Sequence, residues 1–504
     1  MPIINSVVQW LNFKRIYQIQ LYREHPIDIQ FETLFSLISS ARDTEWGQAH
    51  RFDKIDTLQD FQNVMPLQTY DDIKPFVERL RQGEKNVLWP GEVKWFAKSS
   101  GTTSDKSKFI PVTKESLEDC HLRGPKDVFA LYLKNHPESK LLKGKMLTLG
   151  GSHRVNRSDN NSLYGDLSAI LIENVPFWAD YIRIPSAEIA LIEEFEEKVE
   201  KIIDTTLDEN VTSFAGVPSW YLVLFNRILE KTGKSNILEV WPNMEVFVHG
   251  GVNFDPYRQQ YKKLFPSDQM HYMETYNASE GFFGIQDSPH TNDMLLMLDY
   301  GVFYEFIPMK EWGTENPRVI TLKDVELGEN YAIVISTNAG LWRYVIGDTI
   351  KFTGKFPFKF KITGRTKHFI NAFGEEIIID NAEKAIKIAC EHTGAVVNEY
   401  TAGPVFMEGN NKGAHEWIIE FEVEPQELDY FVTVLDNSLK TLNSDYEAKR
   451  HKNLTLEKPH VKAVPKGTFY EWMKSRNKVG GQNKIPRLSN DRKYLDELLE
   501  MLKK

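Results

Sequence analysis

The chain has 504 residues, an apolar fraction of 41% and a formal net charge of −10. This length predicts two or more domains, and the acidic balance without a basic block argues against nucleic-acid binding. Cys120 and Cys390 form no disulfide or metal-binding pattern, and neither a signal sequence nor a run of eighteen apolar residues is evident. We therefore expect a cytoplasmic protein that does not engage a membrane.

The first distinctive stretch is a polar loop, KSSGTTSDKSKFIP (98–111), after a helical region and the strand-like WFA (95–97). Its glycine permits close backbone approach, and its hydroxyls and lysines suit phosphate oxygens. The spacing differs from the GxxxxGK[ST] of a P-loop. A solvated surface loop without a ligand remains the alternative. The loop residues with groups of this kind include Ser99, Ser100, Gly101, Thr102, Thr103 and Lys108.

Strand-then-helix units follow, which predict an α/β layer with a largely parallel sheet. In NMEVFVHGGVNF the predicted strand ends at Gly250 and Gly251. Ligands collect at the carboxyl ends of strands in such sheets, so this glycine pair is a candidate ligand edge, although a tight turn has the same appearance. Further on, LLMLDYGVFYEFIPM predicts a hairpin around 299–301.

Two later stretches place a carboxylate at the end of a predicted strand. Tyr276, Ser279 and Glu280 lie in TYNASEG, and a carboxylate there suits Mg²⁺ on a nucleotide, though glutamate is also common in turns. In AGLWRYVIGD, Tyr344 precedes Asp348, whose carboxylate either accepts ribose hydroxyls or closes a turn. Asn338-Ala339-Gly340, at the start of that motif, joins two β-rich runs and predicts a hairpin.

Taken together, these stretches resemble the nucleotide-binding motifs of the adenylate-forming superfamily of acyl-CoA synthetases and luciferases. The finer resemblance is to the auxin-responsive Gretchen Hagen family of acyl-acid amido synthetases, from about residue 30 to residue 490. Its SSGTT, TYxxSEG, AGLYRYxxGD and QxKxPR elements are matched by SSGTT, TYNASEG, AGLWRYVIGD and QNKIPR. Trp342 departs from the usual tyrosine, and the hinge GRTKHFINAFG is closer to the general superfamily form, which implies a bacterial-type member.

The resemblance implies an α/β fold in two parts. Residues 1–362 would form a large N-terminal α/β domain with mixed sheets and a β-barrel-like portion. Residues 363–504 would form a small α+β C-terminal lid that moves. In that second part, DNAE (380–383) predicts a helix start with Asp380 as N-cap. The alternation in WIIEFEV (417–423) predicts a strand.

The resemblance also implies ATP and Mg²⁺, with a carboxylic acid and an amino acid as substrates of a ligase. The sequence does not show the oligomeric state, for which a monomer is the expectation. The acid would attack ATP to give an acyl-adenylate and pyrophosphate, and an amine would then displace AMP to give an amide. Glu280 is implied as the Mg²⁺ ligand, and Lys484 as the charge that reaches the α-phosphate and the carboxylate. The residues implied at ATP or AMP are the six loop residues together with Gly250, Gly251, Tyr276, Ser279, Tyr344, Asp348 and Arg365.

Several alternatives stay open from the sequence. The second step could use a thiol, as in an acyl-CoA ligase, or the chain could bind nucleotide or acyl acid without catalysis. Either Lys106 or Lys108 could face the phosphates, and a lysine in the glycine-rich GGQNKIPR could simply be solvated. His249 fits either an acyl pocket or a satisfied strand end. Cys120 has no histidine partner that would make it a nucleophile.

Overall fold

A computed structural model gives the fold. The structure describes residues 2–99, 108–149, 155–157, 162–175, 181–192, 194–250, 254, 257–366, 369–370, 377–405, 413–443, 446–447, 450, 456–476, 485–489 and 491–503. The chain divides into two compact units. The first unit comprises Met1–Val252, Leu264–Ile346 and Ile350–Ile362, and the second comprises Asn253–Lys263, Gly347–Thr349 and Thr363–Lys504.

The first unit begins with helices, as the period of its apolar residues predicts. Its helices are α1 (Pro2–Glu24), α2 (Pro26–Ala41), α3 (Glu45–Ala49), α4 (Leu58–Val64), α5 (Tyr70–Arg81), α6 (Lys114–Ser116), α7 (Arg123–Asn135), α8 (Leu167–Asn174), α9 (Ala187–Ala190), α10 (Phe195–Thr206) and α11 (Pro218–Thr232), with a π-helix at Leu117–His121. Local chemistry sets these ends. Thr57 and Thr69 cap α4 and α5, and Gly233, at φ 66°, ends α11.

Most strands of the first unit belong to one large sheet. The strands in chain order are β1 (Trp95–Ser99), β2 (Lys108–Val112), β3 (Lys145–Thr148), β4 (Asn156–Arg157), β5 (Leu163–Gly165), β6 (Arg183–Ile184), β7 (Val211–Gly216), β8 (Val246–Gly250), β9 (His271–Ala278), β10 (Gly281–Ile285), β11 (Met294–Leu296), β12 (Val302–Pro308), β13 (Asn330–Thr337), β14 (Tyr344–Lys355) and β15 (Phe358–Arg365). Eleven of the described strands run in the order β12-β13-β14-β15-β11-β10-β9-β8-β7-β3-β6, and a second sheet runs β2-β1-β5-β4. The large sheet is parallel from β6 to β9 and antiparallel from β9 to β11. The predicted α/β class with mixed sheets is therefore confirmed.

The hairpin predicted around 299–301 is wrong. β11 pairs with β10 and β15, whereas β12 pairs with β13, so the two strands on either side of 299–301 are not neighbours. Every residue of β12 is buried, and a strand covered on both faces reads as a continuous apolar run. Such a run identifies a strand but carries no information about its partner. The turn at Gly301 instead contacts the turn after β13, because its carbonyl accepts from the Asn338 amide at 3.0 Å.

The second unit is a smaller α+β assembly. Its further elements are β16 (Phe369–Ile370), β17 (Ile377–Ile378), β18 (Val396–Val405), β19 (Ala414–Val423), β20 (His460–Val464), α12 (Arg258–Leu264), α13 (Ile379–Thr393), α14 (Leu428–Leu442), α15 (Thr468–Ser475) and α16 (Lys493–Met501). β18 pairs antiparallel with β19, and β20 is parallel to β19. β19 confirms the strand predicted over 417–423. Helices α13 and α14 pack together, and buried Trp417, Phe431 and Leu435 form part of the core.

The predicted start of α13 is wrong by two residues. The helix begins at Ile379, and Ile378 rather than Asp380 occupies the capping position. The Ile378 amide donates to the Asn381 side-chain oxygen at 3.3 Å. The Asn381 side chain therefore accepts a hydrogen bond from a backbone amide at the start of the helix, whereas the prediction had placed the cap at Asp380.

Candidate functional site

The polar loop is closed at its base by a strand pair. β1 and β2 are antiparallel, and Ser99 lies directly opposite Lys108, so residues 100–107 connect two paired strand ends. Ser100, Gly101, Thr102 and Thr103 lie outside the described residues, as does Lys106. The Lys108 amino group lies 5.7 Å from the ring centroid of Tyr70. At the base of the loop, the paired strand ends and the Lys108 side chain therefore lie close together.

Helix α5 holds the downstream side of that base. The Phe109 amide donates to the Tyr70 hydroxyl at 2.8 Å, and the Arg81 guanidinium lies 3.7 Å from the Phe109 ring centroid. A cation over an aromatic face is attracted to the ring quadrupole. Tyr70 and Arg81 fix where the loop re-enters the sheet, and sequence reasoning missed both. Their only signal was their place on an amphipathic helix, which predicts burial but no partner.

Gly250 lies at the carboxyl end of β8, between two parallel neighbours. A side chain there would bring its Cβ within 2.4 Å of the Thr275 carbonyl oxygen, and Thr275 is the residue opposite Gly250 on β9. The Thr275 hydroxyl also donates to the His249 carbonyl at 3.2 Å. Close strand packing therefore requires glycine at this position. Gly251 lies outside the described residues.

The TYNASEG stretch forms a tight turn between β9 and β10. Ala278 pairs with Gly281, which leaves Ser279 and Glu280 as the two turn residues. Glu280 is 9% exposed, and the buried Ser279 hydroxyl has no hydrogen-bond partner among the described residues. Tyr276 is buried on β9, with its ring centroid 5.0 Å from that of Phe283. The turn places two oxygen-bearing side chains side by side.

The π-helix lies against this turn. The Phe282 amide donates to the Cys120 sulfur at 3.1 Å, and a Cβ at Gly281 would lie 3.6 Å from the same sulfur. Burial raises the pKa of Cys120 to about 12, so the thiol stays protonated at neutral pH. Cys120 consequently acts as an acceptor and packing group behind the Ser279–Glu280 turn. π-helical turns are frequent at functional sites.

The residues of the AGLWRYVIGD motif belong partly to the first unit and partly to the second. In the first unit, Tyr344 is buried and forms a parallel bridge with Gln68. Arg343, at φ 42°, donates from Nε to a Glu305 carboxylate oxygen at 3.0 Å. Trp342 is buried and lies edge-on to Phe52 at 4.7 Å between ring centroids, which agrees with a packing role.

In the second unit, two of the predicted site residues form an ion pair. Arg365 Nε lies 2.6 Å from Asp348 Oδ1, and the Arg365 side chain is 39% exposed. Gly347 precedes the aspartate at φ 91°, a conformation that favours glycine. Its carbonyl accepts from the Thr366 amide at 2.8 Å. This hydrogen bond joins the backbone next to Asp348 to the backbone next to Arg365. Lys484, the predicted catalytic residue, lies outside the described residues.

The described residues contain neither a metal-binding cluster nor a membrane-spanning helix. Within the ranges given above, no group of three or more histidine, cysteine, aspartate or glutamate side chains could hold a metal ion. A Mg²⁺ ion that is bound through one carboxylate and substrate phosphates does not need such a group. In the same part of the chain, no helix is both long and apolar enough to cross a membrane.

Three family models match the chain in order. The GH3 family N-terminal domain matches residues 15–270, the central domain residues 295–365, and the C-terminal domain residues 380–493. Among curated relatives, the chain is 23% identical to indole-3-acetic acid-amido synthetase GH3.3 of Arabidopsis thaliana, over 91% of this chain and 89% of that protein. It is 25% identical to jasmonoyl–L-amino acid synthetase JAR4 of Nicotiana attenuata, over 88% of this chain and 87% of that protein.

Solved structures share the fold. The acyl acid amido synthetase AtGH3.15 in complex with 2,4-DB superposes with a TM-score of 0.82 at 17% identity, over 98% of this chain and 96% of that chain. A 2-hydroxyisobutyryl-CoA ligase in its postadenylation state superposes with a TM-score of 0.57 at 12% identity, over 94% of this chain and 91% of that chain. The chain thus shares its fold with these two enzymes.

Proposed function

We propose a function from the premise that the chain belongs to the GH3 family. The protein is an acyl-acid amido synthetase that uses ATP to join a small carboxylic acid to an amino acid. The observation that carries this proposal is the match of all three GH3 domains, in order, along one chain. Relatives that align with most of this chain are named as ligases of this kind, including a 4-substituted benzoates–glutamate ligase of Arabidopsis thaliana.

In the first step a carboxylate oxygen attacks the α-phosphorus of ATP. The bond to the β-phosphate breaks, pyrophosphate leaves, and the acyl group becomes an anhydride of AMP. Such a reaction needs neutralised phosphates and an in-line geometry rather than covalent help from the protein. The loop between Ser99 and Lys108 would hold phosphates, since its ends are fixed as a strand pair.

The turn at Ser279 and Glu280 fits Mg²⁺. One carboxylate with a neighbouring buried hydroxyl, supplemented by substrate phosphates, is a donor set that this ion accepts. Magnesium would supply charge neutralisation to the phosphates. Cys120 and the π-helix behind the turn would keep the Glu280 backbone in place.

In the second step the amine of the amino acid attacks the activated carbonyl carbon. A C–N bond forms, the C–O bond to AMP breaks, and the amine loses a proton. Asp348 would accept the ribose hydroxyls of the nucleotide in both steps, with Arg365 beside it. Tyr276 would lie against the adenine, and Lys484 would bring positive charge to the α-phosphate and the carboxylate.

The test is carboxylate-dependent exchange of labelled pyrophosphate into ATP across a panel of acids. An accepted acid is then incubated with ATP and Mg²⁺ and with either the twenty amino acids or coenzyme A, and the products are identified by mass spectrometry. We expect AMP release that depends on an amino acid, together with a conjugate of the amide mass. Thioester formation without any amide would replace this proposal with an acyl-CoA ligase.

The Lys484→Ala variant tests the proposed role of Lys484 in the same exchange assay. Removing one preorganised electrostatic donor costs about 10²–10³ in rate, so we expect exchange to fall by that factor while the melting temperature is unchanged. Exchange within about twofold of the unmodified protein, with the fold intact, would return Lys484 to the role of a solvated lysine.

A further inference from the structure

The second unit contains a buried charge cluster that the proposed chemistry does not use. Arg487 lies at its centre, with Nη1 2.5 Å from a Glu399 carboxylate oxygen and Nε 3.8 Å from Glu383. Its guanidinium stacks 4.7 Å from the ring centroid of Tyr400, and Nη2 donates to the Tyr257 hydroxyl at 3.1 Å. Burial of charged groups is expensive, and a buried ion pair is weak evidence for stability alone. A cluster of this kind therefore suggests a positional task.

Tyr257 uses its hydroxyl in two directions. The oxygen accepts from Arg487, and the proton is donated to Glu399 at 2.9 Å. Burial raises the pKa of Tyr257 well above its usual value, and burial also raises the pKa of Glu399. The phenol consequently keeps the proton that the bridge requires. Tyr257 comes from 253–263, a stretch far upstream that joins the second unit, and it follows Gly250 by seven residues.

Arg487 is also the last residue of the QNKIPR element that contains Lys484. The described chain resumes at Ile485, one residue after that lysine. From there the backbone is fastened to β18: the Thr401 hydroxyl donates to the Pro486 carbonyl at 2.6 Å, and the Ala402 amide donates to the Arg487 carbonyl at 2.9 Å. The segment that follows Lys484 is thus held by hydrogen bonds to its main chain and by the contacts of the Arg487 side chain.

We propose that Tyr257 is a positioning residue for Lys484 and acts through Arg487. The proposal rests on the function proposed above, in which Lys484 serves the adenylation step. The Tyr257 hydroxyl and the Glu399 carboxylate fix the guanidinium, and the guanidinium fixes the start of the fastened segment. Catalysis by a single charge depends on placement, because a shift of about 1 Å is enough to cost about 100-fold in rate.

The test compares Tyr257→Phe with Tyr446→Phe. Tyr446 offers a matched control in the same unit, because its buried hydroxyl also donates to a carboxylate, Asp436, at 2.8 Å beside an arginine. We expect Tyr257→Phe to lower the kcat of pyrophosphate exchange about 10- to 100-fold, with the KM for ATP within about twofold. We expect Tyr446→Phe to leave exchange unchanged. An equal loss in both variants would overturn the positioning role.

A second comparison excludes a merely structural effect. If Tyr257 acts through Lys484, then Tyr257→Phe has no further effect on exchange in a Lys484→Ala background, whereas a general loosening of the unit would multiply the two losses. Multiplied losses would overturn the proposal. Should Tyr257→Phe fail to fold, Glu399→Gln removes the charge on the other side of Arg487 and is expected to behave in the same way.

The outcomes also separate this proposal from the one on which it rests. Exchange in the unmodified protein that Tyr257→Phe and Glu399→Gln leave intact would overturn the positioning role alone. Absence of exchange in the unmodified protein, with every acid of the panel, would overturn the amido synthetase function and the positioning role together.

Discussion

Arg343 and Asp348 stand five residues apart in one sequence motif, but they belong to different compact units. Arg343 pairs with Glu305, and the side chains of that pair are 6% and 1% exposed. Asp348 pairs with Arg365, whose side chain is partly accessible to solvent. The first pair therefore has only protein around it, while the second presents one member to any molecule that approaches.

The two pairs differ in what their charges are free to do. Arg343 also donates to the carbonyl oxygens of Met65 and Gln62, at 2.7 and 3.3 Å, so its guanidinium is committed to the main chain of the first unit. Neighbouring positions of one motif thus have a structural role at Arg343 and, in the proposed function, a ligand-binding role at Asp348. The proposed ligand role of Asp348 and the structural role of Arg343 can be separated by substitution.

The largest effect is expected from Glu305→Ala. It leaves the Arg343 charge buried without its carboxylate, and breaking such a pair costs about 3–5 kcal/mol of unfolding free energy. Urea unfolding measures this loss. As a control, the double variant Arg343→Met/Glu305→Leu should recover much of it, because no unpaired charge remains. A single variant within about 1 kcal/mol of the unmodified protein would remove the contrast between the two pairs.

Asp348→Ala is expected to change binding rather than folding. If the carboxylate accepts ribose hydroxyls, its loss weakens ATP binding by roughly 1.5–3 kcal/mol, the range for hydrogen bonds to a charged group. Binding of the carboxylic acid alone should stay the same. Calorimetry with ATP and with an accepted acid checks both statements, and equal ATP affinity would reduce Asp348 to a turn residue.

A third prediction extends the comparison to pH. His121 lies fully buried in the π-helix beside Cys120, and burial lowers its pKa to about 4. Its unfolded pKa is about 6.5, so between these values the unfolded state binds the additional proton. Stability from this group is complete above about pH 6.5 and declines as the pH falls towards 4.

The expected loss between pH 7 and pH 5 is about 2 kcal/mol. Urea unfolding at the two pH values measures it, and His121→Asn should flatten the dependence by that amount. The exposed His460 offers the control, since His460→Asn should leave the slope as it is. An identical slope in His121→Asn would show that the buried imidazole does not set the acid sensitivity of its region.

The smallest effect on folding is expected from Arg365→Ala. A partly exposed ion pair contributes about 0–1 kcal/mol, so the unfolding free energy should stay within that range. ATP affinity should fall by less than in Asp348→Ala, because the carboxylate remains. If Arg365→Ala destabilised the protein as much as Glu305→Ala, exposure would not distinguish the two pairs.

Local features of the fold were predictable, and long-range pairings were not. The early helices and the strand at β19 both follow from periodicity within a few residues. The partner of β12 depends on which buried faces meet, and an all-apolar strand is compatible with several partners.

The same limit applies to the site. Motifs located Asp348 and Arg365 separately, and the resemblance implied both at ATP or AMP, but only the fold shows the ion pair between them. Arg343 was visible inside AGLWRY, yet its partner Glu305 lies 38 positions upstream with no local signal. The role of Tyr257 was harder still to predict, because the sequence around it is typical of a strand–helix unit rather than of the C-terminal region. Side-chain partners across such separations are set by tertiary packing.

The upstream residues 253–263 that complete the second unit also have a consequence for how the gene can be cut and recombined. A fragment that begins at Thr363 lacks Tyr257, so Arg487 and Glu399 would lose the hydroxyl that joins them. During synthesis this stretch leaves the ribosome well before Glu399 and Arg487 have been made. A chimera that exchanges the C-terminal region between two relatives would therefore need to carry 253–263 from the same parent, as a second, separate insert.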